Sequence, residues 1–142
     1  TDFGRGCRSL RRPMLSRRRD LTSAGRRVLV VEDETLVLIN LEDILEQLGW
    51  SIAAQAMRLP EAERLASSVE ALDVAILDVN IGGAKVFPAA QILRERGVPI
   101  LFATGYGREG LPPEWQDHAV IAKPYSQTDI ERALDRLLGA DV

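Results

Sequence analysis

Three short, unbroken apolar runs constrain this chain more than anything else in it. They are Val28-Leu29-Val30-Val31, Val74-Ala75-Ile76-Leu77 and Pro99-Ile100-Leu101-Phe102-Ala103. An alternating strand keeps one wet face, whereas a continuous run has none, so each reads as a strand buried on both faces. Between the runs the period changes. Leu38, Leu41, Ile44, Leu45 and Leu48 recur every three or four residues, which puts them on one stripe of a helix, and Gly49 suits its end. Ser51 to Ala56 is a weaker, alanine-rich strand. Pro60 can open a helix whose modest apolar face holds Leu65 and Val69. Asn80-Ile81-Gly82-Gly83 reads as a loop. A helix follows over roughly Val86 to Arg96, with Pro88 near its start and Gly97 past its end. Residues 107–117 lack periodicity and contain Pro112-Pro113, so they read as a loop with at most a short helix. Ala119 to Ala122 is a last short strand. Ser126 or Thr128 can cap a final helix with Ile130, Ala133, Leu134, Leu137 and Leu138 inward. Strands alternate with helices along the chain, which implies a parallel sheet covered by helices on both faces.

Bulk properties narrow the class. A chain of 142 residues, 46% of them hydrophobic, can fill the core of one domain and not two. No apolar run approaches the ~20 residues of a membrane span. Cys7 is the only cysteine, so an intrachain disulfide and a Cys-based metal site are excluded. That usage suits a reducing cytoplasm. The charge is unevenly spread. Residues 1–27 hold nine of the 18 basic residues, all arginine, against Asp2 and Asp20; the segment is about +7, which leaves about -10 on residues 28–142 within the net -3. An acidic body argues against a nucleic-acid-binding domain. Residues 1–27 lack periodicity and the apolar middle of a secretory signal, so they read as a basic, disordered leader. Its arginines could touch nucleic acid or anionic lipid. Residues 28–142 form the domain.

Ligands bind such sheets at the carboxyl ends of the strands. Those ends carry Glu32-Asp33 after the first strand, Asp78 after the third, Thr104 after the fourth and Lys123 after the fifth. Any one of these is an ordinary strand-end polar residue. Four polar strand ends on one edge of a parallel sheet make a cluster. Each pair of carboxylates ~4 Å apart costs about 4 kcal/mol at an effective dielectric of 20, which a proton or a cation must relieve. The oxygen-only donor set suits the hard cation Mg²⁺. Asp78 is then a potential nucleophile for phosphorus, forming an acyl phosphate. Lys123 can pair with one phosphoryl oxygen and the Thr104 hydroxyl can bond another. Phosphoryl transfer needs little beyond positioning and charge neutralisation.

These residues resemble the response-regulator receiver family of two-component signalling. The resemblance rests on Val28-Leu29-Val30-Val31-Glu32-Asp33-Glu34, Ile76-Leu77-Asp78, Thr104-Gly105 and Lys123-Pro124-Tyr125, and covers residues 28 to about 139. It implies a flavodoxin-like (CheY-like), doubly wound five-stranded parallel sheet of order 2-1-3-4-5. It implies that Glu32, Asp33, Asp78 and the backbone carbonyl of Asn80 hold Mg²⁺. Asp78 would be the phosphoacceptor, Thr104 the switch hydroxyl and Lys123 the phosphate-pairing lysine, placed by a cis Lys-Pro bond. Phe102-Ala103-Thr104-Gly105-Tyr106 is similar to an atypical subgroup named for its Phe-Ala-Thr-Gly motif. Two departures from typical receivers recur here. Ile81-Gly82-Gly83 stands where a loop proline is usual, and Ala119-Val120-Ile121-Ala122 lacks the usual strand-five aromatic. Tyr106 is the candidate substitute switch residue, against the plainer reading of a loop tyrosine.

The resulting expectation is a cytoplasmic receiver, phosphorylated on Asp78 by a histidine kinase or histidine phosphotransferase. It would catalyse only its own phosphorylation and dephosphorylation and signal by protein contact, with no output domain after Val142. A stand-alone receiver, a relay shuttle, a phosphate sink and a fragment of a longer protein all fit, and a homodimer is admitted. The downstream partner is not readable. The rivals are a non-phosphorylated receiver-like binding module, an Asp-nucleophile phosphatase and a flavodoxin. A phosphatase would place an acid where Asn80 stands, and Glu32-Asp33-Glu34 would repel a flavin phosphate. Lone His118 reads as a surface residue. Trp50 and Trp115 read as packing residues.

Overall fold

The structure is a computed structural model that describes residues 25–139. The expected leader lies almost wholly outside them. Among the described residues, seven strands and four α-helices follow in order. They are β1 (Arg27–Val31), α1 (Thr35–Gln47), β2 (Ser51–Ala56), α2 (Leu59–Ser68), β3 (Val74–Asp78), β4 (Asn80–Ile81), β5 (Ala84–Lys85), α3 (Phe87–Glu95), β6 (Ile100–Thr104), β7 (Ala119–Ala122) and α4 (Gln127–Leu138). Two 3-10 turns, Gly107–Gly110 and Pro113–Trp115, lie between β6 and β7.

The main sheet has five parallel strands in the order β2-β1-β3-β6-β7. This is the expected 2-1-3-4-5 order once the small β4-β5 hairpin is set aside. Successive strand residues point to opposite faces, and the core divides accordingly. Leu29, Leu77, Ile100 and Phe102 pack with α2 and α3 on one face. Val28, Val30, Ile76 and Leu101 pack with α1 and α4 on the other. The unbroken apolar runs therefore serve two cores at once.

Local chemistry explains the element ends. Ser126 accepts a hydrogen bond from the Asp129 amide at 3.1 Å, and Asp129 accepts one from the Ser126 amide at 2.9 Å, so α4 starts at a capping box. Of the two cap candidates, Ser126 is used. Arg96 donates to the carbonyls of Ala66 (2.5 Å) and Val69 (2.7 Å), binding the end of α2 to the end of α3.

Two expectations need correction. The inner face of α2 consists of Ala62 and Ala66, with Leu65 only half-buried, and Val69 lies past the helix end. Small side chains let α2 lie close to its neighbours. Asn80 to Gly83 is part of a two-stranded hairpin, with Asn80 opposite Lys85 and Ile81 opposite Ala84. Gly82 and Gly83 have φ of 57° and 85°, the left-handed pair that a tight hairpin turn requires.

Candidate functional site

The carboxyl ends of β1, β3, β6 and β7 deliver the site. Glu32 follows β1 and is fixed there by its amide, which donates to the Ala56 carbonyl at 3.0 Å. Asp78 closes β3, and its neighbour Val79 donates to the Ala103 carbonyl at 3.1 Å. Thr104 closes β6, and its carbonyl accepts from the Lys123 amide at 3.0 Å. The Lys123–Pro124 peptide bond is cis. Only three polar side chains are buried among the described residues: Glu32 (2% exposed), Asp78 (7%) and Thr104 (2%). All three belong to this edge, in a core that is otherwise apolar.

The carboxylates converge. Glu32, Asp33 and Asp78 each place an oxygen within 4.8 Å of the others. The Lys123 ammonium bridges two of them, donating to Asp78 Oδ2 at 3.0 Å and to Glu32 Oε1 at 3.1 Å. Three of the four remaining oxygens are held by backbone. The Glu34 amide donates to Glu32 Oε2 at 3.1 Å, the Asn80 amide to Asp78 Oδ1 at 3.3 Å, and the Gly82 amide to Asp33 Oδ2 at 2.8 Å. The hairpin turn thus has a use: it presents the Gly82 N–H to Asp33. The Asn80 side chain turns away and accepts from Lys85 Nζ at 2.6 Å.

One ammonium cannot neutralise three acids, and the protonation pattern shows it. Burial and then the charge of Asp78 push Glu32 up to about 7, against the opposite pull of the Glu34 amide and Lys123. Burial disfavours the charge on Lys123, but its hydrogen bonds to Asp78 and Glu32 outweigh that and raise its pKa. Beside them, burial and then Glu32 push Tyr125 up to about 12, and its hydroxyl is buried without a hydrogen-bond partner. A site with surplus negative charge, oxygen donors only and restrained carboxylates fits a hard divalent cation. Glu32, Asp33 and Asp78 are the side chains that could hold one.

The other sequence candidates fall as follows. The Thr104 hydroxyl accepts from the Tyr106 amide at 3.1 Å. Tyr106 is 75% exposed, and its hydrogen bond to Thr104 is made by its backbone rather than its aromatic ring. His118 is not a plain surface residue. It is half-buried, its ring 4.8 Å from that of Trp115 and 5.8 Å from that of Phe102. Trp50 and Trp115 are buried, as expected. Sequence reasoning passed over Gly110, where a Cβ would lie 2.8 Å from Thr104 Oγ1, and the cavity of about 430 Å³ between α1 and Lys123-Pro124-Tyr125. Exposed Leu36, on the N-terminal turn of α1, was the available signal for that cavity.

The five-stranded parallel sheet and its acidic edge define a receiver fold. The family model "Response regulator receiver domain" matches residues 28–135. The chain belongs to that family. It is 32% identical over 114 residues to the transcriptional regulatory protein PdtaR of Mycobacterium tuberculosis, covering 78% of this chain and 55% of that protein. It is 28% identical over 114 residues to the phyllosphere-induced regulator PhyR of Methylorubrum extorquens, covering 78% and 43% respectively. The chain therefore spans about half the length of the curated relatives it matches. The solution structure of SdrG from Sphingomonas melonis Fr1 superposes with a TM-score of 0.71 at 35% identity, covering 80% of this chain and 96% of that one. SdrG has also been solved in a BeF3-activated conformation. No helix among the described residues is long and apolar enough to cross a membrane.

Proposed function

We propose that this receiver takes a phosphoryl group onto Asp78 in a Mg²⁺-dependent reaction and passes the signal on by protein contact. The observation that carries this is the Lys123 ammonium, held at 3.0 Å from Asp78 and 3.1 Å from Glu32 inside a three-carboxylate cluster. A stabilising ion pair needs one carboxylate; two on the lysine and a third within 4.8 Å of them leave charge for a metal and a phosphoryl group. The activated conformation solved for the similar protein SdrG supports an activatable site on this fold.

Glu32, Asp33, Asp78 and the Asn80 carbonyl would hold the Mg²⁺, which would supply charge neutralisation for the phosphoryl oxygens. An Asp78 oxygen attacks the phosphorus of a phosphohistidine donor. The new O–P bond forms as the donor P–N bond breaks, and that electron pair returns to the imidazole. Lys123 leaves Asp78 for one phosphoryl oxygen, and Thr104 gives up the Tyr106 amide to donate its hydroxyl to another. The donor is a histidine kinase or a histidine phosphotransferase. Leu36, 81% exposed, and the apolar cavity beside Lys123 offer it a seat next to the site. The domain catalyses only its own phosphorylation and dephosphorylation.

Acetyl phosphate and Mg²⁺ test the reading. The intact protein should gain the mass of one phosphoryl group, and Asp78→Asn should not. An unchanged mass in the wild-type protein would count decisively against the proposal.

A further inference from the structure

The chain carries sixteen arginines but only two lysines, Lys85 and Lys123. Lys123 sits between Asp78 and Glu32. Lys85 stands on β5, directly across the hairpin from Asn80, and its ammonium donates to Asn80 Oδ1 at 2.6 Å. Both lysines therefore bond to side chains of the segment Asp78–Asn80.

The β4-β5 hairpin restrains two of the three carboxylates. The Asn80 amide donates to Asp78 Oδ1 at 3.3 Å, and the Gly82 amide to Asp33 Oδ2 at 2.8 Å. Its strands are only two residues each, too short to be stable through their own ladder. One face is anchored in the protein. Ile81 is buried in the core, and the Val86 amide donates to the Val79 carbonyl at 2.9 Å. The other face is open: Asn80, Gly82, Gly83 and Lys85 are exposed. On that face the Lys85–Asn80 bond ties one strand to the other. Side chains directly opposite each other are the contacts that stabilise a strand pair, and a charged donor makes the stronger bond.

We propose that Lys85 is a positioning residue for the divalent-cation site, acting through Asn80. The proposal rests on the reading that Mg²⁺ binds among Glu32, Asp33, Asp78 and the Asn80 carbonyl. By holding the Asn80 side chain, Lys85 fixes the two backbone groups of that residue: the amide that restrains Asp78 and the carbonyl offered to the cation. It does so at an electrostatic disadvantage, since an ammonium beside a cation site repels the cation. Its two effects are therefore opposite in sign. Charge alone makes Mg²⁺ bind more tightly when Lys85 is neutralised; positioning makes it bind more weakly.

Calorimetry of Mg²⁺ binding reads that sign in the wild type, Lys85→Met, Asn80→Ala and the double variant. Lys85→Met keeps the stem, loses the ammonium and changes only an exposed side chain. It should bind Mg²⁺ about fivefold more weakly, the worth of one net hydrogen bond. The loss should survive a rise from about 0.15 M to about 0.5 M salt, which screens charge and leaves geometry alone. Asn80→Ala keeps the backbone carbonyl and removes Oδ1, so it should weaken binding to a similar degree. The double variant should lose no more than either single one, because both remove the same bond. Equal or tighter Mg²⁺ binding in Lys85→Met, or losses that multiply in the double variant, overturns the proposal and leaves the Mg²⁺ site standing. Absence of Mg²⁺ binding by the wild type in the millimolar range overturns the site itself, and this proposal with it.

Discussion

Titrating the domain in EDTA probes the carboxylate cluster through the cost of its crowding. Folded, Glu32 keeps its proton up to about 7; its ordinary value is 4.5. Between these values the folded state binds more protons than the unfolded state, so stability falls as the pH rises. One group contributes about 1.4 kcal/mol per pH unit, hence about 3 kcal/mol across the window. The loss begins above pH 4.5 and is complete above pH 7, where Glu32 is ionised in both states. Glu32→Gln removes the titration and keeps the shape. Urea unfolding from pH 4.5 to 7.5 should therefore show wild-type stability falling relative to Glu32→Gln by about 3 kcal/mol. Saturating Mg²⁺ should flatten the difference, because a cation then does what the proton did. Parallel pH profiles of the two proteins in EDTA would refute the argument that burial and Asp78 crowd Glu32.

Further outcomes follow from the packing. Asp78→Asn removes the second cause of the Glu32 elevation, so the stability loss in EDTA should be smaller and complete at a lower pH, measured by the same unfolding series. Phe102→Ala should cost about 3–5 kcal/mol in urea unfolding, because a fully buried ring touching Phe87, Trp115 and His118 leaves a cavity. Gly83→Ala should cost about 1–2 kcal/mol by thermal unfolding, since φ of 85° is unfavourable for any residue with a Cβ. It should also weaken Mg²⁺ binding in calorimetry by disturbing the turn that presents the Gly82 amide to Asp33.

Much of the site was legible because its signals are local. Each apolar run ends abruptly at a polar residue, and in a parallel sheet those ends must share an edge. Glu32, Asp33, Asp78, Thr104 and Lys123 could be grouped on that ground, and they do lie along one edge. Other features were hidden for physical reasons. Val69 looked like a helix-face residue because its spacing from Leu65 is four, but the helix closes at Ser68. Tyr106 drew attention as an aromatic, whereas its contact with Thr104 is made by its amide. Gly110 looked like one more loop glycine, since a close approach leaves no mark on the sequence around it.

The sequence by itself determined the strand and helix order, the two-faced burial of the central strands and the polar residue at each strand end. These follow from hydrophobic period and chain direction, which are properties of neighbouring residues. Only the tertiary structure decided how the charges are shared. It set one ammonium between two of three carboxylates and drove Glu32 up to about 7. It also laid the Gly107–Gly110 turn on the Thr104 hydroxyl. Those are distances between segments far apart in the chain, set when the sheet closes, and both charge balance and steric fit depend on them at the scale of a single ångström.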